Sequence, residues 1–484
     1  MSPSPAATRL ARILAATTAI LLLLAGCGRG PDDRLRRIVR QTEPTGVKIA
    51  ILAIDGFSPE IVRDQIRSGS MPTFARLGAE GSQGLLESRR PMKSPALWTT
   101  LATGTPREEH GIVDFVRPDR RHLVTSNDRR RLALWNLTSA FDLTNGWIGY
   151  WATWPAEPVR GYLVSDRLAR TRYTEWLDGA RTDAAVFPDE LAPILAPLAL
   201  DPLAPPMDEI DALVELDAGE RRDLLAIPRP VFGHALSVLK FAWCAQRSHE
   251  EMALELLDRE PQPDLFGLFL VAADPISHTF WHWFRPGDYP SVDPATARRL
   301  GSIVPAVYRH NDRFVGELLT RLDPETVVFV VSDHGFVSSR VLPRPLPPAQ
   351  MEELRRESES LGQVAVGQSG RHDPSGFFLA SGGPIRAGKT VHAQLVDLAP
   401  TVLALLGLPV PRDMTGRVLE EIVEPEFLAA HPVRYVDTYE GLISRPRLPE
   451  PGGAPDAEAE RRMLDQLGAL GYLSPAAPDE SGDR

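Results

Sequence analysis

Short, nearly continuous apolar runs recur along the chain, separated by longer amphipathic stretches. Val47 to Ile54 is one run and ends at Asp55-Gly56. Leu265 to Ala273 ends at Asp274, and Thr326 to Val331 ends at Ser332-Asp333-His334-Gly335. Runs of this length without polar alternation predict strands buried on both faces of a parallel sheet. Stretches such as Ala306 to Leu322 carry helical patterning between them, so the predicted class is α/β with a central, mostly parallel sheet. Ligands of such sheets collect at the carboxyl ends of the strands. Three strands each deliver an aspartate there.

The pattern also sets boundaries. Residues 155–260 are broken by Pro188, Pro193, Pro197, Pro202, Pro205 and Pro206 and carry acidic helical segments, which predicts an insertion or cap between core segments 47–154 and 261–425. Residues 426–484 form a C-terminal extension, with a helix predicted around Ala459 to Leu473. At the other end Arg9 and Arg12 precede the apolar run Ile13 to Leu24, shorter than the ~20 residues that span a bilayer and suited to a signal-peptide core. Leu24-Ala25-Gly26-Cys27 is similar to the lipobox of bacterial lipoproteins. That likeness implies a signal peptide over 1–26, lipid on Cys27 and a linker over 27–46. Gly28 after the cysteine implies lipid anchoring in the bacterial cell envelope, on the periplasmic face of the outer membrane. An ordinary signal peptide with a chance cysteine is the alternative.

Composition narrows the chemistry. With 43% hydrophobic residues the 484-residue chain buries a large core, and a net charge of −11 without a block of like charge excludes duplex nucleic acid as the main partner. Cys27 and Cys244 are the two cysteines, which excludes a disulfide scaffold and a thiolate metal cluster. Any metal must be held by histidine and aspartate. Asp274 and His278 are four apart and share a face if a helix begins there. Asp333-His334 sits at a strand-to-loop junction. His372 lies in a predicted loop before the strand Phe377 to Ala380. His282 offers an alternative Asp274-His278-His282 face, but Trp281 and Trp283 flank it and it reads as pocket wall. His110 reads as structural, and His310, Asp312, His392 and Asp397 as packing or capping residues.

Taken in order, these segments resemble the type I phosphodiesterase and nucleotide pyrophosphatase branch of the alkaline phosphatase superfamily, over about residues 47–155 and 262–420. The anchors are Ile54-Asp55-Gly56, Ser94-Pro95-Ala96-Leu97-Trp98-Thr99-Thr100-Leu101-Ala102-Thr103-Gly104, His110-Gly111-Ile112, Asp274 to His278, Ser332 to Gly335 and His372. The resemblance implies a three-layer sandwich and two divalent ions, Zn²⁺ first and Mn²⁺ second. One ion would be held by Asp274, His278 and His372, the other by Asp55, Asp333, His334 and Ser94. It further implies Ser94 as a nucleophile that passes through a phosphoseryl intermediate, acting on a phosphorylated small molecule or lipid headgroup.

The departures from the family matter too. The family's asparagine some twenty residues past the nucleophile is missing, and Asp114 and Phe115 occupy that place, which puts nucleotide diesters in doubt. Lys93 could offer a cation to the phosphoryl group. Pro95 directly after Ser94 breaks the sulfatase pattern. Gly383 to Thr390 fits the phosphate-loop pattern G-x-x-x-x-G-K-[ST], but too little chain follows it to build an NTPase sheet. Phosphoryl transfer to an acceptor other than water, as in a phosphomutase, and a non-catalytic envelope-binding lipoprotein remain the alternatives.

Overall fold

The computed structural model describes residues 31–119, 122–169, 183–227, 230–231, 234–345, 365–366, 368–445 and 447–450. The signal peptide, Cys27 and the helix expected around Ala459 to Leu473 lie outside them. In chain order the strands are β1 (Ile49–Ile54), β2 (Ser82–Glu87), β3 (Asn145–Ile148), β4 (Gly161–Val164), β5 (Val186–Phe187), β6 (Leu265–Leu270), β7 (Val327–Val331), β8 (Gly335–Ser338), β9 (Arg344–Pro345), β10 (Ala365–Val366), β11 (Gly370–Asp373), β12 (Ser375–Ser381), β13 (Thr390–Gln394), β14 (Val410–Pro411) and β15 (Tyr435–Val436). Nine of them form one sheet in the order β13-β2-β12-β7-β1-β6-β3-β4-β5. From β7 through β1, β6 and β3 to β4 every pairing is parallel. β12 runs antiparallel to both its neighbours, and β5 closes the other edge antiparallel to β4.

β1 explains the layering. All six of its residues are buried. Ala50, Leu52 and Ile54 join one apolar cluster with helices Pro59–Arg67, Ala235–Arg259, Ala273–Phe284 and Ile303–Leu319. Ile49, Ile51 and Ala53 join a second cluster with helices Ser94–Thr103 and Leu398–Leu405. Alternate side chains of a strand point to opposite faces, so the unbroken apolar run demands a helical layer on each side. The expected mostly parallel α/β sandwich is what forms.

Two local expectations differ. The stretch 155–260 was expected to lie between halves of the sheet, yet β4 and β5 fall within it, and Ala235–Arg259 packs in the core. These strands are four and two residues long, too short to register as apolar runs. His372 lies on β11, not in a loop, because residues 370–373 pair antiparallel with β8. The phosphate-loop pattern falls in the turn from β12 into β13. No helix among the described residues is long and apolar enough to cross a membrane.

Candidate active site

The end of β1 delivers Asp55, and the chain turns at once through Gly56, whose φ is +67°. A Cβ at Gly56 would lie 2.6 Å from Phe336 and 2.9 Å from the Asp274 Cα, so glycine is required on both conformational and steric grounds. The turn is pinned from behind. Phe57 N–H donates to Ser332 Oγ (2.8 Å) and Ser58 N–H to the Tyr308 hydroxyl (2.7 Å), while the Tyr308 ring stacks on Phe57. Helix Ala273–Phe284 begins one residue before Asp274 and brings His278 onto the same face one turn later. β7 delivers Asp333 and His334, and the β8–β11 ladder sets His372 opposite Phe336.

These six side chains converge. Asp274 Oδ1 lies 3.2 Å from His278 Nε2 and 3.1 Å from His372 Nε2, and those two nitrogens are 2.7 Å apart. His334 Nε2 lies 3.5 Å from Asp55 Oδ1, 3.6 Å from Asp333 Oδ2 and 3.7 Å from Asp274 Oδ1. The His334 and His372 rings stack at 3.6 Å. Two donor groups result, Asp274-His278-His372 and Asp55-Asp274-His334, with Asp274 common to both. Ligand atoms at ~2.0–2.1 Å from a tetrahedral cation stand ~3.3 Å apart, close to most of these spacings.

The polar bookkeeping supports a cation as well. Among the described residues, Asp55 Oδ1, Asp333 Oδ2 and His334 Nε2 are buried without a hydrogen-bond partner. Each histidine turns its other edge to backbone. His278 Nδ1–H donates to Gly370 O (2.8 Å), His334 Nδ1–H donates to Gly335 O (3.1 Å), and His372 is held by the backbone of Met92. This outer ring of carbonyls fixes the tautomer and points the Nε2 lone pairs inward, as metal-ligating histidines require. Burial, with repulsion from Asp333 and Asp274, holds the Asp55 carboxyl well above its usual range, and burial pushes Asp333 up to about 8. Asp274 goes the other way: burial opposes it, but His278 and His372 hold it well below the usual range. Burial pushes His334 and His372 down, so both stay neutral. Divalent cations fit this donor set of three carboxyls and three imidazoles.

Ser94 is the first residue of helix Ser94–Thr103, with Lys93 as its N-cap, and both are buried. The Ser94 hydroxyl lies by the Asp55 carboxyl and helps to stabilise its charged form. A helix start favours negative charge. Asp114 accepts the Phe115 N–H (2.8 Å), and Phe115 is buried edge-on against Trp151. His282 stays outside both donor groups and bonds Ser369 Oγ (2.9 Å). His110 is buried against Thr100 Oγ1 (2.9 Å), His310 pairs with Glu250 (2.9 Å), Asp312 caps the Phe74 N–H (2.8 Å) and Asp397 accepts from Arg417 N–H (2.9 Å). His392 is exposed. The sequence reading missed Tyr308 and the carbonyls of Met92, Gly335 and Gly370. A backbone acceptor leaves no residue-type signal, and Tyr308 sits in an ordinary amphipathic helix.

The model of the type I phosphodiesterase / nucleotide pyrophosphatase family matches residues 49–369. The chain belongs to that family. It is therefore a phosphoric ester hydrolase. Among solved structures it is similar to murine ectonucleotide pyrophosphatase/phosphodiesterase 5, inactive, in complex with AMP, at 15% identity, covering 75% of this chain and 96% of that one, with a TM-score of 0.41. It is also similar to wild-type alkaline phosphatase PafA, at 11% identity, covering 78% and 98% with a TM-score of 0.47. A third is phosphonoacetate hydrolase from Sinorhizobium meliloti 1021 in complex with phosphonoformate, at 12% identity, covering 74% and 97% with a TM-score of 0.44. No curated protein sequence matches the chain.

Proposed function

We propose that the chain hydrolyses phosphate esters through Ser94 and a phosphoseryl intermediate at a centre of two divalent cations. Asp274, His278 and His372 would hold one, and Asp55, Asp333, His334 and Ser94 the other, with Zn²⁺ the first candidate and Mn²⁺ the second. The observation that carries the reading is the placement of the Ser94 hydroxyl against Asp55, whose Oδ1 is buried beside His334 without a hydrogen-bond partner among the described residues. Bound cations would lower the pKa of the serine hydroxyl and offset the charge of the phosphoryl oxygens.

The chain's own residues do the rest. Ser94 Oγ attacks phosphorus, forming one P–O bond while the bond to the leaving group breaks. Water then attacks the phosphoseryl group and frees the hydroxyl. The helix start at Ser94 adds partial positive charge where the phosphoryl oxygens gather. Lys93, the residue before Ser94, would add a further positive charge near the phosphoryl group. The outer carbonyls of Met92, Gly335 and Gly370 hold the imidazoles in place throughout.

Assays of the purified protein with bis-p-nitrophenyl phosphate, p-nitrophenyl phosphate and p-nitrophenyl sulfate, with and without EDTA, test this reading. Hydrolysis of a phosphate ester that EDTA abolishes, with the sulfate untouched, is expected. Failure on both phosphates with two metals bound overturns it. Lipid on Cys27 would set this chemistry at the periplasmic face of the outer membrane, and mass spectrometry of the mature N-terminus reads that directly.

A further inference from the structure

A narrow slot beside the Ser94 helix has no part in the chemistry above. Phe115, Trp151, Asp166, Arg167, His249 and Val271 are among the residues that line it. Val271 follows Leu270, whose carbonyl accepts the Asp55 N–H at 3.0 Å, so this wall stands one strand, ~5 Å, from the strand that carries Asp55. Trp98, one turn along from Ser94, packs edge-on against Phe269 at 5.3 Å. The slot thus lies at the same carboxyl end of the strands as the Asp/His cluster.

Two groups in its lining keep hydrogen-bonding capacity that the described residues do not fill. Arg167 is 8% exposed, and its guanidinium lies 3.9 Å over the Trp154 ring without an ion pair among the described residues. The nearest carboxylates are committed elsewhere. Asp166 accepts the N–H groups of Ala152 (3.0 Å), Thr153 (3.3 Å) and Trp154 (3.1 Å), and Glu450 pairs with Arg117 (2.5 Å). His249 Nδ1–H donates to Phe269 O (2.8 Å), which leaves Nε2 a buried acceptor with no donor. Burial pushes the His249 pKa down to about 4, so the ring is neutral at ordinary pH. Buried donors and acceptors of this kind cost free energy unless something satisfies them. The Phe115 and Trp151 rings meet edge to face at 5.4 Å and the free volume is about 20 Å³, a narrow space that suits a small polar group better than a flat ring.

We infer that the slot receives the polar head of a small leaving group, with Arg167 donating to an anionic oxygen such as a carboxylate and His249 Nε2 accepting from a hydroxyl. This rests on Ser94 hydrolysis as proposed above and narrows it to small hydroxy-acid or polyol phosphate esters in preference to nucleotides.

The test exploits reversibility: an alcohol that binds where the leaving group departs captures the phosphoryl group from Ser94. In that step the P–O bond to Ser94 breaks, a P–O bond to the acceptor forms, and the acceptor's hydroxyl proton passes to water. The full chain is given whichever p-nitrophenyl ester it hydrolyses faster, with glycerate, glycerol or 1-propanol as acceptor, and the transferred product is counted by phosphorus NMR. Transfer is expected to favour glycerate over glycerol and glycerol over propanol, by about 10- to 100-fold for the charged contact. Arg167→Ala should reduce glycerate to the level of glycerol, Arg167→Lys should restore part of the preference, and His249→Ala should reduce glycerol to the level of propanol. Transfer in each variant is expressed as transferred product per p-nitrophenol released, so that any change in the first step cancels. Equal transfer to all three acceptors, or to none, overturns the slot assignment and leaves Ser94 hydrolysis standing. A uniform loss in the Arg167 variants, p-nitrophenol release included, shows a structural role and also overturns it. Absence of Ser94-dependent p-nitrophenol release removes the underlying reading and the inference with it.

Discussion

His278 Nε2 and His372 Nε2 stand 2.7 Å apart although 94 residues separate them in the chain. Each ring has its other edge held by backbone, at Gly370 and Met92, so the inward nitrogens carry lone pairs facing each other and Asp274 Oδ1. Three electron-rich atoms at this spacing repel unless positive charge sits among them. Chelation is therefore predicted to do more than silence the enzyme. Dialysis against EDTA should lower Tm by about 5 °C or more, since a ligand bound to the folded state alone stabilises it by mass action. Zn²⁺ should restore both stability and activity; calorimetry that shows no change in Tm on chelation would contradict the cation centre.

Ser94→Ala removes the attacking oxygen and leaves the Asp/His donors in place. The predicted loss in kcat/KM is at least ~10³-fold, about 4 kcal/mol of barrier. Two metals per chain should still be bound, as read by elemental analysis. Near-native turnover by this variant would remove Ser94 from its role.

Away from the centre, the Arg129–Glu157 pair is 2.5 Å long, with side chains 1% and 4% exposed, and Trp135 Nε1–H donates to the same carboxylate at 2.8 Å. Removing one partner strands the other charge in the interior. Glu157→Ala is predicted to cost ~3–5 kcal/mol in urea unfolding. A cost below ~1 kcal/mol would show that water reaches Arg129.

His110 sets an acid limit on the fold. Burial, with the nearby Arg129 charge, pushes its pKa down to about 3 from an ordinary 6.5. The unfolded chain then binds this proton first, so the contribution is full above about pH 6.5 and is lost as pH falls toward 3. Unfolding free energy measured by urea between pH 7 and 4 should fall, and His110→Gln should flatten part of that slope. An unchanged slope in the variant would assign the acid sensitivity elsewhere.

What could be read from the residues follows from how each feature is encoded. β1, β6 and β7 are apolar on both faces, so their strands and the aspartates that end them stand out. Asp274 and His278 were legible because helical spacing places them on one face. The short strands β4 and β5 were not, because four and two residues inside a proline-rich stretch carry no periodicity. The place of His372 depends on a ladder between β8 and β11, a pairing that no local pattern announces. Arg167 and His249 lie in unlike surroundings 82 positions apart, and nothing but the packing of β6 against Ala235–Arg259 brings the histidine to the slot.

The phosphoseryl intermediate is the most direct test. Enzyme turning over a p-nitrophenyl phosphate ester should be quenched in acid, digested and analysed by peptide mass spectrometry. A single phosphoryl group, or its nitrophenyl ester from the diester, is predicted on the peptide that carries Ser94, and it should vanish after EDTA treatment. Phosphate on another residue, or sustained turnover in which no covalent adduct can be trapped and Ser94→Ala remains active, would contradict it.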